Sequence, residues 1–269
     1  MVLNKTYHFV SGLPRAGSTL LTAILNQRPD TFAWGKSPLP DALHVVYSNW
    51  GNAWQESGAM PLEMQESMRL GMYRGIVDGS YAHRDEPIVV DDSRGWLVHL
   101  ELLETILGRK PKVLVPYRPL VEILASFERI YRQHKASSQP IYEKSDYFAQ
   151  GTVASRCAYL CSDNQVVGLA VNRIRDAERR GWGEHMYFVD YNTLAAAPAK
   201  TMASIERFLE IEPYDYDFNN VVPAIDSDDR FYGFERRALH QIRPAVKPHN
   251  SNWRDVLGED GEQYANFQI

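Results

Sequence analysis

Five short apolar runs recur along the chain: YHFVSG (7–12), TFAWG (31–35), PIVVDD (87–92), KVLVPYR (112–118) and MYFVDY (186–191). Their apolar residues are continuous instead of alternating, the pattern of strands covered on both faces. Helical stretches lie between them: Gly17–Gln27, Leu39–Trp50, Leu62–Tyr81, Trp96–Leu107, Leu120–Lys135 and Ser145–Arg180. A last one, Pro198–Leu209, opens with proline at an early helical position, where a missing N–H breaks no bond. Strands alternating with helices specify a parallel sheet with right-handed crossovers. The expected fold is α/β, a P-loop-like central parallel sheet with helices on both faces, in a single domain spanning 1–269. The length of 269 residues and a hydrophobic share of 44% suit one such core. Sheets of this kind bind ligands beyond the carboxyl ends of their strands, where the strand-to-helix turns gather.

After Ile211 the periodicity fades into EPYDYDFNNVVPAIDSDDRFYGF, a stretch rich in Asp, Asn, Pro and Tyr that reads as irregular loop. Net charge is −5, so no global basic field exists for nucleic acid or an anionic membrane, and any anion site must be local. Cys157 and Cys161 lie four apart with no metal-ligand spacing around them and read as free thiols of a reducing compartment. The opening MVLNKTYHFVSG has no apolar segment after a charged start, and no run approaches membrane-spanning length. The expectation is a cytoplasmic protein with no membrane or nucleic-acid partner.

The first strand runs into FVSGLPRAGSTLL (9–21), a turn bounded by Gly12 and Gly17 that opens a helix. Such a turn leaves backbone N–H groups unpaired and aimed at one spot, where the helix dipole adds positive charge. Ser18 and Thr19 add hydroxyl donors. A nucleotide-hydrolysing loop has lysine after its second glycine, but here that position is Ser18. Arg15 instead offers a planar fork that binds two oxygens of one anion and neutralises charge on a leaving oxygen without a metal.

GLPRAGSTLL resembles the 5′-phosphosulfate loop of sulfotransferases that use 3′-phosphoadenosine 5′-phosphosulfate (PAPS), in the arginine form of the Golgi-type and bacterial branches. The resemblance implies a sulfotransferase fold, PAPS as donor, PAP as product, and no required metal. Arg15, Ala16, Gly17, Ser18 and Thr19 would hold the phosphosulfate. VPYRPLVEILASF is similar to the family's 3′-phosphate motif, with Arg118 leaving a strand and Ser126 eight residues on. MYFVDYNTLAAAPAKTMASIERFLEI resembles the family's strand ending in Tyr-Glu-x-Leu, which sets Tyr191 beside the adenine and puts Asn192 where the family has Glu. RPAVKPHNSNWRDVL is loosely similar to the C-terminal segment that closes over the 3′-phosphate. In it Trp253 and Arg254 align with a Trp-Lys pair, and Arg243 and Lys247 are the phosphate contacts, within a closing loop of about 240–257.

Sulfuryl transfer needs a base for the acceptor's proton. The loops WGKSPLPDALH and VVDDSRGW both open at the ligand edge, which makes Asp41 the first candidate and Asp92 the second. Asp91 and Asp92 also fit a helix-start cap before Trp96. Relatives often carry lysine where Asp92 stands, so Lys36 or Arg94 would substitute for it. His44 and His99 read as helix-surface or packing residues. The aromatic segments around 50–82 and 136–181 read as helical insertions on the acceptor side, fitting a carbohydrate, phenol, peptide tyrosine or small alcohol. Two rivals remain open: a P-loop kinase or NTPase using Asp91 or Asp92 for magnesium, and a nucleotide-binding relative without activity.

Overall fold

The computed structural model describes residues 3–54, 60–137, 150–223, 229, 242–248 and 252–267. Five strands, β1 (Thr6–Val10), β2 (Thr31–Gly35), β3 (Ile88–Asp92), β4 (Val113–Tyr117) and β5 (Met186–Asp190), form one sheet. Its order is β2-β3-β1-β4-β5, and every adjacent pair is parallel. The chain fills one side of β1 with β3 and β2, then returns to the other side with β4 and β5. The order therefore reverses between β1 and β4, and a crevice opens at their carboxyl ends.

Both faces of the sheet are buried, which is why the strands read as unbroken apolar runs. Tyr7, Phe9, Phe32, Val89, Val113 and Val115 face one core. Helices α2 (Leu39–Trp54), α3 (Leu62–Ser80), α4 (Leu100–Leu107) and α5 (Leu120–Ser137) contribute to it. So do α6 (Val153–Cys161) and α7 (Gly168–Arg179). Val10, Ala33, Val90, Leu114 and Val189 face a second core against α1 (Ser18–Leu25), α8 (Tyr191–Ala196) and α9 (Pro198–Leu209). A short α10 (Arg254–Leu257) returns to pack on α5, where the Arg132 guanidinium donates to the Val256 carbonyl at 2.6 Å.

Two expected helices are divided. The stretch 145–180 splits into α6 and α7, with its residues 145–149 outside the described ones. Ser162 turns extended at the end of α6, and a Cβ on Gly168 would fall 2.2 Å from the Ser162 carbonyl. Only glycine lets the chain double back so closely. The stretch 96–107 splits into a single 3-10 turn, Trp96–Val98, and α4. That turn seats Trp96, fully buried, against Phe9 with ring centroids 4.8 Å apart, worth about 1 kcal/mol beyond the area buried. Cys157 and Cys161 are free thiols, and burial pushes them up to about 12 and about 11, which keeps both protonated. Glu128, buried on α5, accepts from Arg156 at 2.7 Å and Arg132 at 2.9 Å. Removing one partner of such a buried pair costs about 3–5 kcal/mol, so α6 is fixed to α5.

Candidate active site

The turn after β1 is stitched to β4 before it opens. Ser11 N–H donates to the Leu114 carbonyl at 2.9 Å, and Leu13 N–H donates to that of Pro116 at 2.8 Å. A Cβ on Gly12 would lie 2.2 Å from the Pro116 oxygen, so this close approach requires glycine. Gly17 ends the turn at φ 89° and caps α1. The first intrahelical bond runs from Leu21 N–H to Gly17 at 2.9 Å, so the N–H groups of Ser18, Thr19 and Leu20 have no acceptor within the helix. Arg15 sits at φ 60° and Lys36, just past β2, at φ 67°. A left-handed side-chain-bearing residue costs about 1–2 kcal/mol and persists where its surroundings hold it. Both strained cations lie at the carboxyl edge of the sheet.

Arg15 reaches across the crevice and its Nε donates to Ser126 Oγ, in the second turn of α5, at 3.2 Å. Arg118 leaves the end of β4, and its Nε donates to Glu122 at 2.6 Å. Its guanidinium lies 4.6 Å from the centroid of the Tyr191 ring. That ring in turn covers Gly17, where a Cβ would meet it at 2.5 Å. Burial and the facing Arg118 lower the Arg15 pKa, while Asp229 and Tyr191 act the other way. Arg118 is 6% exposed, yet its Nη2 is buried with no hydrogen-bond partner among the described residues. A buried guanidinium nitrogen left unpaired costs about 1–3 kcal/mol unless an acceptor arrives. Two guanidiniums, a hydroxyl and a helix start thus converge at one crevice, with hydrogen-bond donors suited to an anion. Asn192, at the family's Glu position, donates to Glu122 at 3.1 Å; a glutamate there would face the same carboxylate. Arg118 also lines a cavity of about 580 Å³ with Leu13, Tyr117, Phe188, Asp190 and Glu178.

The two aspartates closing β3 serve different tasks, and neither caps a helix: Gly95 is the residue before the Trp96 turn, without a side-chain cap. Asp91, fully buried, accepts from Trp96 Nε1 at 2.6 Å and from the Tyr81 hydroxyl, a packing role. Burial pushes its carboxyl up to about 6. Asp92 points the opposite way, accepts the Ser18 hydroxyl, and is pushed up to about 7 by burial, with neighbouring Asp91 adding to the rise and Arg94 opposing it. Asp41 stands exposed in the first turn of α2, in electrostatic reach of His99 and Arg173. His44 and His99, expected as helix-surface or packing residues, form a pair with ring centroids 5.5 Å apart.

The sequence profile of the sulfotransferase family matches residues 8–216. The chain belongs to that family.

Solved structures with partial likeness to this chain are sulfotransferases. The sulfotransferase domain from the curacin biosynthetic pathway aligns at TM-score 0.51 and 16% identity, covering 98% of this chain and 97% of its own. The sulfotransferase domain from the Synechococcus PCC 7002 olefin synthase aligns at TM-score 0.48 and 17% identity, over 99% and 97% of the two chains. A sulfotransferase from Alicyclobacillus acidocaldarius aligns at TM-score 0.46 and 16% identity, over 80% and 85%. A search of curated protein sequences returns no match.

Arg15, Ala16, Gly17, Ser18, Thr19, Arg118, Ser126 and Tyr191 of this sulfotransferase are thus gathered at one crevice. Arg243 and Lys247 are not joined to it: both are exposed on a stretch whose backbone pairs with Phe218 and Val221. Among the described residues no hydrogen bond or ion pair links either to Arg15 or Arg118. Trp253 packs on Gly261, and Arg254 pairs with Glu262 at 2.9 Å. Asp229 is the residue that sequence reading missed. It is fully buried, pairs with Lys36 at 3.3 Å and acts on Arg15, although it comes from a segment that reads as surface loop. Its signal was a run of acids, indistinguishable from solvated loop. Among the described residues no group of His, Cys, Asp and Glu has the arrangement to hold a metal ion, and no helix is long and apolar enough to cross a membrane.

Proposed function

We propose that this sulfotransferase moves the sulfuryl group of PAPS to a hydroxyl or amine of an acceptor and releases PAP. The carrying observation is the unpaired, buried Nη2 of Arg118 beside the Arg15–Ser126 contact. It supports a 3′-phosphate held by Arg118 and Ser126, with the phosphosulfate on Arg15, Ala16, Gly17, Ser18 and Thr19. Tyr191 orders the adenine end, and Arg243 and Lys247 close on the phosphate when nucleotide is bound.

The acceptor atom attacks sulfur in line as the bond from sulfur to the bridging phosphate oxygen breaks. The acceptor's proton passes to a base, and the charge left on PAP falls to Arg15 and the amides at the start of α1. Asp92 suits the base better than Asp41. It lies against the Ser18 hydroxyl, and a carboxyl pushed up to about 7 exchanges a proton near neutral pH. Lys36 and Arg94 supply cationic charge in place of the lysine that relatives carry at position 92. The helices α2, α3, α6 and α7, spanning the insertions at 50–82 and 136–181, wall the acceptor side of a single domain.

Melting of the protein with PAP, against ATP with magnesium, tests the donor. At one hundred times its dissociation constant a ligand stabilises the native state by about 2.7 kcal/mol, which is roughly 5 °C or more for a chain of this size. PAP is expected to give that shift and ATP with magnesium a smaller one. The reverse order, with ATP turnover, replaces this reading by a kinase or NTPase.

A further inference from the structure

The outer face of α3 carries apolar side chains where a surface helix ordinarily turns charged ones to water. On a helix of 3.6 residues per turn, Met64, Met68, Met72, Gly71, Gly75 and Gly79 fall within an arc of about 100°. That arc lies opposite the buried Tyr73 and Val77. Met64, Met68 and Met72 are 54%, 39% and 45% exposed, and Leu62 at the helix start is 68% exposed. A Cβ on Gly71, Gly75 or Gly79 would meet nothing within 4 Å among the described residues, so packing within the chain does not call for glycine there. Gly71 and Gly75 lie in the helix interior, where glycine weakens a helix about fivefold relative to alanine. We infer that α3 pairs with the α3 of a second copy of this chain, antiparallel about a two-fold axis, with each methionine seated over a glycine of the other copy.

The register follows from the spacing. Methionines and glycines both recur every four residues, so one antiparallel alignment satisfies all of them. With the two-fold axis passing between residues 71 and 72, Met64 faces the partner's Gly79, Met68 faces the partner's Gly75 and Met72 faces the partner's Gly71. Two-fold symmetry repeats the three contacts from the other side. Glycine lets two helix backbones come close, and the unbranched methionine side chain adapts to fill the space beside them. No charged residue lies in the arc, so closing the contact strips no ion of its water. A foreign helix would need a matching series of knobs and gaps; a second copy supplies it.

The area is also sufficient. On α2, which packs on α3, Val45 and Tyr47 are 59% and 56% exposed, and Tyr47 is in electrostatic reach of Tyr73. Counting about 200 Å² for a fully exposed side chain of this size, these two and the four of α3 offer roughly 600 Å² of apolar surface per copy. Two copies together reach about 1,200 Å², where stable protein interfaces begin. Contiguous apolar surface of several hundred Å² marks an interaction face. The pairing does not depend on the transfer reading above.

Sedimentation of the full chain over rising concentration tests the pairing, and a dimer fraction that grows with concentration is expected. Gly75→Gln fills the gap opposite the partner's Met68 and should raise the dimer dissociation constant about tenfold or more. At a dilution where both proteins are monomeric, the same variant should melt about 2 °C higher, because it replaces a helix-weakening glycine at an open position. Cysteine cross-linking with copper–phenanthroline reads the register. Met72→Cys lies beside the axis and should link to its copy, whereas Met64→Cys stands roughly 20 Å along the helix from its own and should not. A chain that stays monomeric at every concentration overturns the inference and leaves the face to a different protein or a membrane. Unchanged association in Gly75→Gln, or equal linking at positions 64 and 72, overturns it as well. Wild-type sedimentation and the cysteine pair need no glycine variant, so a misfolded Gly75→Gln does not blunt the test.

Discussion

Arg118→Lys separates the phosphate reading from a purely structural arginine. The wild-type side chain has one nitrogen on Glu122 at 2.6 Å, a face over Tyr191 at 4.6 Å and Nη2 unpaired. Lysine keeps the positive charge opposite Glu122 but has no second arm for the vacant direction. The loss is one charge-assisted hydrogen bond, about 1.5–3 kcal/mol, or roughly ten- to a hundredfold in affinity. It should appear only for ligands with a 3′-phosphate. Titration calorimetry with PAP and with 5′-AMP, on wild type and variant, isolates that share in a four-way comparison. PAP affinity should fall ten- to a hundredfold and AMP affinity by less than about threefold. If the PAP-to-AMP preference survives Arg118→Lys unchanged, Arg118 does not hold the 3′-phosphate and the crevice is occupied some other way.

Arg15→Ala removes a charge next to the reacting group, so transfer measured as PAP release should fall by two or more orders of magnitude, roughly, with little change in melting temperature. Gly17→Ala places a Cβ 2.5 Å from the Tyr191 ring at φ 89°; it should lower stability by about 1–2 kcal/mol and lose the PAP melting shift, checked by thermal unfolding with and without PAP. Asp92→Asn has opposite signs in two assays. Because the folded-state carboxyl is raised to about 7 from an ordinary value near 4, its stabilising share is complete below about pH 4 and is lost as pH rises through about 7. The variant should match wild type at low pH and exceed it by up to about 4 kcal/mol above pH 8 in denaturant unfolding. Wild-type kcat/KM should instead rise through about pH 7 as the base loses its proton, and Asp92→Asn should flatten that rise; a wild-type profile flat from pH 6 to 8 rules Asp92 out as the base.

The strands were legible because burial on both faces leaves continuous apolar runs, as in Ile88–Val90 ahead of the two aspartates of PIVVDD. The helices 62–81 and 198–209 matched within a residue because their buried residues recur at helical spacing. The single helix drawn over 145–180 failed at Ser162 and Gly168, where the turn depends on how near two backbone segments come. Spacing along the chain cannot express that distance. The assignment of Arg243 and Lys247 to the phosphate rests on a loose motif, and the backbone of their stretch pairs with Phe218 and Val221.

By itself the sequence determined the parallel α/β class and the glycine-bounded turn between Gly12 and Gly17, which follow from local chemistry at strand ends. The grouping of Arg15 with Arg118, Ser126 and Tyr191 was what the family resemblance implied. Only the tertiary structure decided that Asp91 is a packing residue while Asp92 faces Ser18, that Asp229 is buried against Lys36, and that the His44 and His99 rings come within 5.5 Å of each other. Adjacent residues on a strand point to opposite faces, and groups far apart in sequence meet only when helices dock. Burial and charge at a site belong to that docking, so they cannot be read one residue at a time.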